Sequence, residues 1–180
     1  MAEAPAAASS FRSGENPELA ASLAVLFQLD PDLKQAREVA GALPDRSRPP
    51  GLKTLMKLIV DQQVSLASAA AIWARVEAGT RPFTPHHFLT LDEDALKAMG
   101  LSRPKMRYMR ALCGDIADGT LPLDRLPEMD DAEAMAALTA VKGIGRWTAE
   151  VYLLFALNRP DIFPSGDLAQ IGRASCRERV

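Results

Sequence analysis

Residues 138–167, LTAVKGIGRWTAEVYLLFALNRPDIFPSGD, contain three kinds of group that could do chemistry: the glycine pair at 143 and 145, the indole of Trp147 and the carboxylate of Asp167. Gly143 and Gly145 flank Ile144. That spacing lets the backbone turn tightly and expose its N–H groups. The N–H groups fall at the start of the next expected helix, where the macrodipole favours an anion. A DNA phosphate would suit such a place, and a plain helix–helix turn is the structural alternative. Trp147 offers an indole face, on which a cation gains about 0.5–2 kcal/mol, or it is a core residue. Asp167 could stabilise positive charge or activate water, or it could cap a helix.

These groups must be positioned by helices. A short helix capped by Asp130 or Asp131 leads into the hairpin Val141-Lys142-Gly143-Ile144-Gly145. A second helix, from Arg146 to about residue 157, is apolar nearly all round, with Glu150 as the exception, and is therefore expected to be buried. Asn158, Pro160 and Pro164 then stop it and open the loop that carries Asp167.

VKGIGRWTA, followed by an FP-containing loop and an aspartate, resembles the helix-hairpin-helix DNA glycosylase superfamily, and within it the 3-methyladenine DNA glycosylase II branch. In that family the catalytic aspartate follows the motif's Trp by twenty residues, and Asp167 follows Trp147 by 20. The resemblance reaches back to about Pro50. It implies an all-α glycosylase fold, incomplete at the C-terminus, with Asp167 catalytic and Trp147 and Tyr152 in a base pocket. It assigns Gly143, Gly145 and Arg146 to the DNA backbone, and Gln63, beside Ser65 as a further DNA contact, to the wedge that fills the gap left by a flipped base, where relatives can use an apolar residue. Lys142, where the family often has Pro, is expected to add a phosphate contact. An ordinary polar corner between helices is the alternative for Gln62-Gln63-Val64-Ser65. Strand-cutting relatives carry a Lys where this chain has Trp147, so a monofunctional, hydrolytic enzyme without Schiff-base chemistry is implied. No cofactor is implied. The partner is double-stranded DNA with damaged bases, alkylated ones foremost. Other damaged bases, or a helix-hairpin-helix module that only grips DNA, are the alternative functions.

The earlier chain supplies more helices. Asn16-Pro17 and Asp30-Pro31 are capped starts, with Leu19, Leu23, Leu26 and Phe27 as an apolar stripe in the first helix. Residues 44–51, PDRSRPPG, form a loop and a domain boundary. Helices are expected over about 52–62, 66–78, 85–88, 92–99 and 103–118, and a Pro-punctuated connection over 121–129. No strand is expected. Lys97, Arg103, Lys105, Arg107 and Arg110 come with no acid between Lys97 and Arg110, beside a second glycine turn at Gly100. They read either as a solvated helix face or as a patch that touches DNA phosphates, Arg103 and Lys105 foremost.

The whole-chain charge of −2 does not advertise nucleic-acid binding, so any DNA site rests on local clusters. Cys113 and Cys176 make no metal or disulfide pattern, and the adjacent His86 and His87 cannot face one another on a helix. A cytoplasmic, nucleoid-associated monomer without a metal or membrane span is expected. Residues 1–16 read as a disordered tail. Residues 17–43 read as helices that in the family pack with helices after the aspartate. Residues 50–170 read as the glycosylase domain, with the hairpin at 138–157. The last ten residues, IGRASCRERV, do not resemble the family and match one reading frame of a widely used sequencing adapter. They are expected to be non-native, and the chain without the family's further helices is expected to be marginally folded and inactive.

Overall fold

Side-chain caps set most helix starts in this chain. In the computed structural model, which describes residues 17–41 and 45–167, Asp30, Ser65, Thr84, Asp92 and Asp130 each accept backbone N–H groups at a helix start. Asp130 does so within a capping box, its own N–H donating to Glu133 at 3.2 Å. Among the described residues there is no strand, so the fold is all-α. The tail at 1–16 and the segment 171–180 lie outside the described residues.

The chain divides into two compact units, Met1–Ser47 and Arg48–Val180. The boundary falls in the loop at 44–51. The first unit holds α1 (Pro17–Leu29) and α2 (Pro31–Ala40), joined at Asp30 and closed by Gly41 at φ +78°. Leu23 and Phe27 are half-buried against α2, but Leu26, Leu29 and Val39 are exposed, the last by 84%. The side chain of Leu19 is outside the described residues.

The second unit carries the core. Its helices are α3 (Leu52–Asp61), α4 (Leu66–Gly79), α5 (Pro85–Thr90), α6 (Glu93–Ala98), α7 (Arg103–Ala117), α8 (Asp131–Ala140) and α9 (Arg146–Phe155). The Pro-punctuated connection contains a 3-10 helix, Leu123–Glu128. Leu55, Met56 and Ile59 of α3 meet Met109 and Leu112 of α7 and Ala149 and Leu153 of α9 in one apolar cluster. Each large side chain buried there stabilises by roughly 1.5–3 kcal/mol. As its composition demands, α9 is central: residues 148–153 are all buried.

The loop after α9 is held by one cation. Asn158 turns the chain at φ +54°. Arg159 then donates to Asp131 at 3.1 Å and to the carbonyls of Leu126, Pro127 and Met129 at 3.2, 3.1 and 2.6 Å. Arg159→Ala would strand these acceptors, and we expect a loss of about 3 kcal/mol, read as a lower urea midpoint.

Candidate active site

The Asp167 loop is tight. The Ser165 N–H donates to the Phe163 carbonyl at 2.8 Å and the Asp167 N–H to the Pro164 carbonyl at 3.0 Å, while Pro164 itself is buried. This brings the half-buried carboxylate back over the start of α9. There the Trp147 indole N–H donates to Asp167 Oδ2 at 3.0 Å. Trp147 remains 36% exposed, so part of its ring is still available to a ligand. Indole and carboxylate form part of the wall of an open cleft of about 1170 Å³.

The hairpin forms another wall. Gly143 has φ +96°, and its α-carbon lies against the Tyr108 side chain of α7. The Ile144 N–H closes the turn onto the Val141 carbonyl at 3.0 Å, and Ile144 is buried. Gly145 is exposed, with open space where a side chain would project. It caps α9 without any side-chain oxygen. Ser102, at the start of α7, also makes no side-chain cap. Both helix starts line the cleft, so the uncapped N–H groups of α7 and α9 are available to anions there.

The third wall is the corner between α3 and α4. Gln62 and Gln63 line the cleft, and Gln63 is exposed with φ +56°. A non-glycine residue in that region costs of order 1–3 kcal/mol, and such residues cluster at ligand clamps.

Residues 56–177 match the HhH-GPD superfamily of base excision DNA repair proteins. The chain belongs to that family. It is 31% identical to DNA-3-methyladenine glycosylase 1 of Schizosaccharomyces pombe over 152 residues, which cover 80% of this chain and 66% of that protein. It is 34% identical to DNA-3-methyladenine glycosylase 2 of Escherichia coli over 124 residues, which cover 62% of this chain and 43% of that protein. The fold is similar to the crystal structure of a DNA-3-methyladenine glycosidase from Bacillus halodurans, with TM-score 0.72 and 32% identity over 87% of this chain and 71% of that one. It is also similar to the S. pombe 3-methyladenine DNA glycosylase in complex with abasic DNA, with TM-score 0.69 and 29% identity, covering 76% and 69%. The chain thus spans about two thirds or less of the length of these two curated relatives.

Within this HhH-GPD chain, Gln63, Lys142, Gly143, Gly145, Trp147 and Asp167 meet at one cleft. Arg103 is exposed at the start of α7. Arg146 is exposed too, and its Nε donates to the buried Glu150 carboxylate at 2.8 Å. Ser65 is also exposed, but its hydroxyl is engaged in the α4 cap, accepting from the Ser68 N–H at 3.2 Å and donating to Ser68 Oγ at 2.9 Å.

One assignment is corrected. Tyr152 is not in the base pocket: it is 1% exposed, and its hydroxyl accepts the Gly51 N–H at 2.9 Å. Burial raises its phenol pKa, against the lowering effect of that hydrogen bond. It pins the loop before α3 onto α9. Lys105 lines the cleft as well, but it is 8% exposed, and its Nζ is engaged in donating to the Val60 carbonyl at 2.7 Å. Burial lowers the pKa of its ammonium, against the raising effect of Asp61. The wider patch breaks up similarly. Lys97 pairs with Glu93 at 2.9 Å, and Arg110 donates to the carbonyls of Leu89 and Leu91. Arg103 and Arg107 remain exposed. Among the described residues no three His, Cys, Asp or Glu side chains cluster to hold a metal, and no helix is long and apolar enough to cross a membrane. Burial pushes the Cys113 thiol up to about 12, which leaves it a core residue rather than a nucleophile.

Sequence reasoning missed Gln62 and Tyr108. Gln62 Nε2 donates to the Gly143 carbonyl and to Thr148 Oγ1, each at 3.2 Å.

Proposed function

We propose that the protein hydrolyses the N-glycosidic bond of alkylated bases in double-stranded DNA. The observation that carries this reading is the Trp147–Asp167 pair, joined at 3.0 Å on the wall of a cleft beside an uncapped glycine hairpin. The hairpin N–H groups hold a backbone phosphate. The target base leaves the stack and enters the cleft. There it lies against the exposed part of the indole, which favours the positive charge of a 3-methyladenine-type base. Such a base departs readily, so the site needs no strong general acid. As the C1′–N bond breaks, its electrons leave with the base and the sugar becomes oxocarbenium-like. The Asp167 carboxylate stabilises that charge, orients the water that adds to C1′ and accepts the proton that this water gives up. The relatives' names support alkylated bases over other lesions. We also place the protein with cytoplasmic DNA, as a monomer.

Incubation with methylated DNA tests the function. Heat-labile abasic sites should accumulate, without a borohydride-trapped protein–DNA adduct. Duplex binding with no base release would leave only a gripping module.

Two variants probe the parts. Trp147→Phe keeps a ring but removes the N–H donor to Asp167. We expect single-turnover excision to fall about tenfold, equivalent to about 1.4 kcal/mol, with little change in affinity. Lys142 is exposed on the hairpin. Lys142→Ala should weaken binding to damaged and undamaged duplexes alike and lower the salt slope by about 1. An unchanged slope would remove Lys142 from the interface.

A further inference from the structure

Two side chains converge on the end of α3 from different elements. From α7, the buried Lys105 ammonium donates to the Val60 carbonyl at 2.7 Å and satisfies an acceptor that the helix end leaves open. From the corner itself, Gln62 reaches the hairpin and donates to the Gly143 carbonyl and to Thr148 Oγ1, 81 and 86 residues away in sequence. A backbone carbonyl can only accept, so the Gln62 amide must present its NH₂ group there. The same Gly143–Ile144 peptide is held at its other end by the Ile144 N–H bond to Val141. Gln62 therefore fixes the plane of the Gly143–Ile144 peptide, one residue before the exposed Gly145. The next residue along the corner is Gln63, exposed and left-handed. One half-buried side chain thus stands between the hairpin and Gln63, the residue that the family resemblance assigns to the wedge.

We propose that Gln62 is a positioning residue that couples the hairpin to Gln63, so that a phosphate seated at 143–145 sets the depth at which Gln63 enters the base stack. This rests on the DNA reading above. Gln62 need not touch DNA. It acts through the Gly143 carbonyl on one side and the chain direction into Gln63 on the other.

Gln62→Glu tests the coupling, because it keeps size and shape but puts a carboxylate oxygen against the Gly143 carbonyl. The probe is a duplex with a tetrahydrofuran abasic analogue beside 2-aminopurine, whose fluorescence rises when the stack is opened. In the full chain at saturating protein, we expect Gln62→Glu to reduce the fluorescence rise at least fivefold. Affinity for undamaged duplex should fall by no more than about tenfold from the added charge in the cleft, a loss that saturating protein offsets, and Tm should stay within a few degrees. Gln63→Ala alone should also reduce the rise, but add nothing in the Gln62→Glu background. A wild-type rise in Gln62→Glu, or losses from the two substitutions that multiply independently, would overturn the coupling while leaving the DNA reading intact. So would a fall that merely tracks lost affinity and Tm, which would make Gln62 a structural strut. A wild-type chain that binds no duplex would overturn both.

Discussion

Asp167→Asn is expected to reduce single-turnover base excision by about 10²–10⁴-fold in the full-length protein while leaving duplex affinity unchanged or tighter. The substitution isolates charge from shape. Trp147 Nε1 donates to Asp167 Oδ2 at 3.0 Å, and the Asn carbonyl oxygen can accept the same bond in the same place. The tight turn onto the Pro164 carbonyl uses only the backbone N–H of residue 167 and survives the change. The variant therefore lacks the negative charge that faces a sugar as it becomes cationic. That interaction grows between ground state and transition state, so its loss appears in the rate and not in binding. Removing a carboxylate from a cleft that faces phosphates also removes a repulsion, which is why tighter binding is the accompanying expectation. Rapid-quench excision with enzyme in excess, set beside equilibrium binding to an uncleavable duplex, measures both. Near-normal excision would remove Asp167 from the chemistry.

The resemblance to the glycosylase family marked the site's poles but not what braces them. The twenty-residue step from Trp147 to Asp167 had meaning because that family has it, while the residues alone left Asp167 equally readable as a helix cap. Helix starts were legible wherever a cap residue meets its helix, as at Asp30, Ser65, Thr84 and Asp92. The basic run on α7 misled because charge was counted along the sequence and not around the helix. Lys105 shares a face with Met109 and Leu112, at the i, i+4 and i+7 spacing of a buried stripe, and it follows them inward. That signal was available. So was the one for Tyr152: five residues beyond Trp147 on an α-helix is about 140° round the axis, so Trp147 cannot face the cleft while Tyr152 faces it too. What the chain could not show is pairing over long separations. Nothing local to Gly143 announces that Tyr108 will lie against it, or that Gln62 will hold its carbonyl. Those contacts come from the packing of α3, α7 and α9 around one core.

The two hairpin glycines should differ in what alanine does to stability, although the sequence makes them look equivalent. At Gly143 the backbone lies at φ +96°, which L side chains rarely adopt. An added methyl would sit 2.7 Å from Tyr108 Cδ1 and closer still to Cβ and Cγ, the part of the ring side chain that can least move away. Left-handed backbone costs an alanine about 1–2 kcal/mol, and overpacking typically adds about 1–3 kcal/mol. We therefore expect Gly143→Ala to destabilise the protein by about 2–5 kcal/mol, the sum of those two ranges, and to lower duplex affinity at least tenfold as the hairpin shifts. Tyr108→Ala should recover the steric part, so the double variant should be less destabilised than the two single losses added together. Gly145 has ordinary backbone at φ −84°, and nothing lies within 4 Å of where its methyl would project. Gly145→Ala should lower the denaturant midpoint only modestly, by the roughly 1 kcal/mol that Ala costs at an N-cap. Its methyl would instead stand at the uncapped start of α9, where a phosphate must approach the N–H groups. Duplex affinity should fall about tenfold with the fold intact. Urea titration and salt-dependent duplex binding of both variants separate the roles: Gly143 lets the hairpin pack, and Gly145 lets the anion come close. A Gly145→Ala variant of normal affinity would show that the hairpin does not hold the phosphate at that position, and would leave Lys142 and Arg103 to carry the backbone contact.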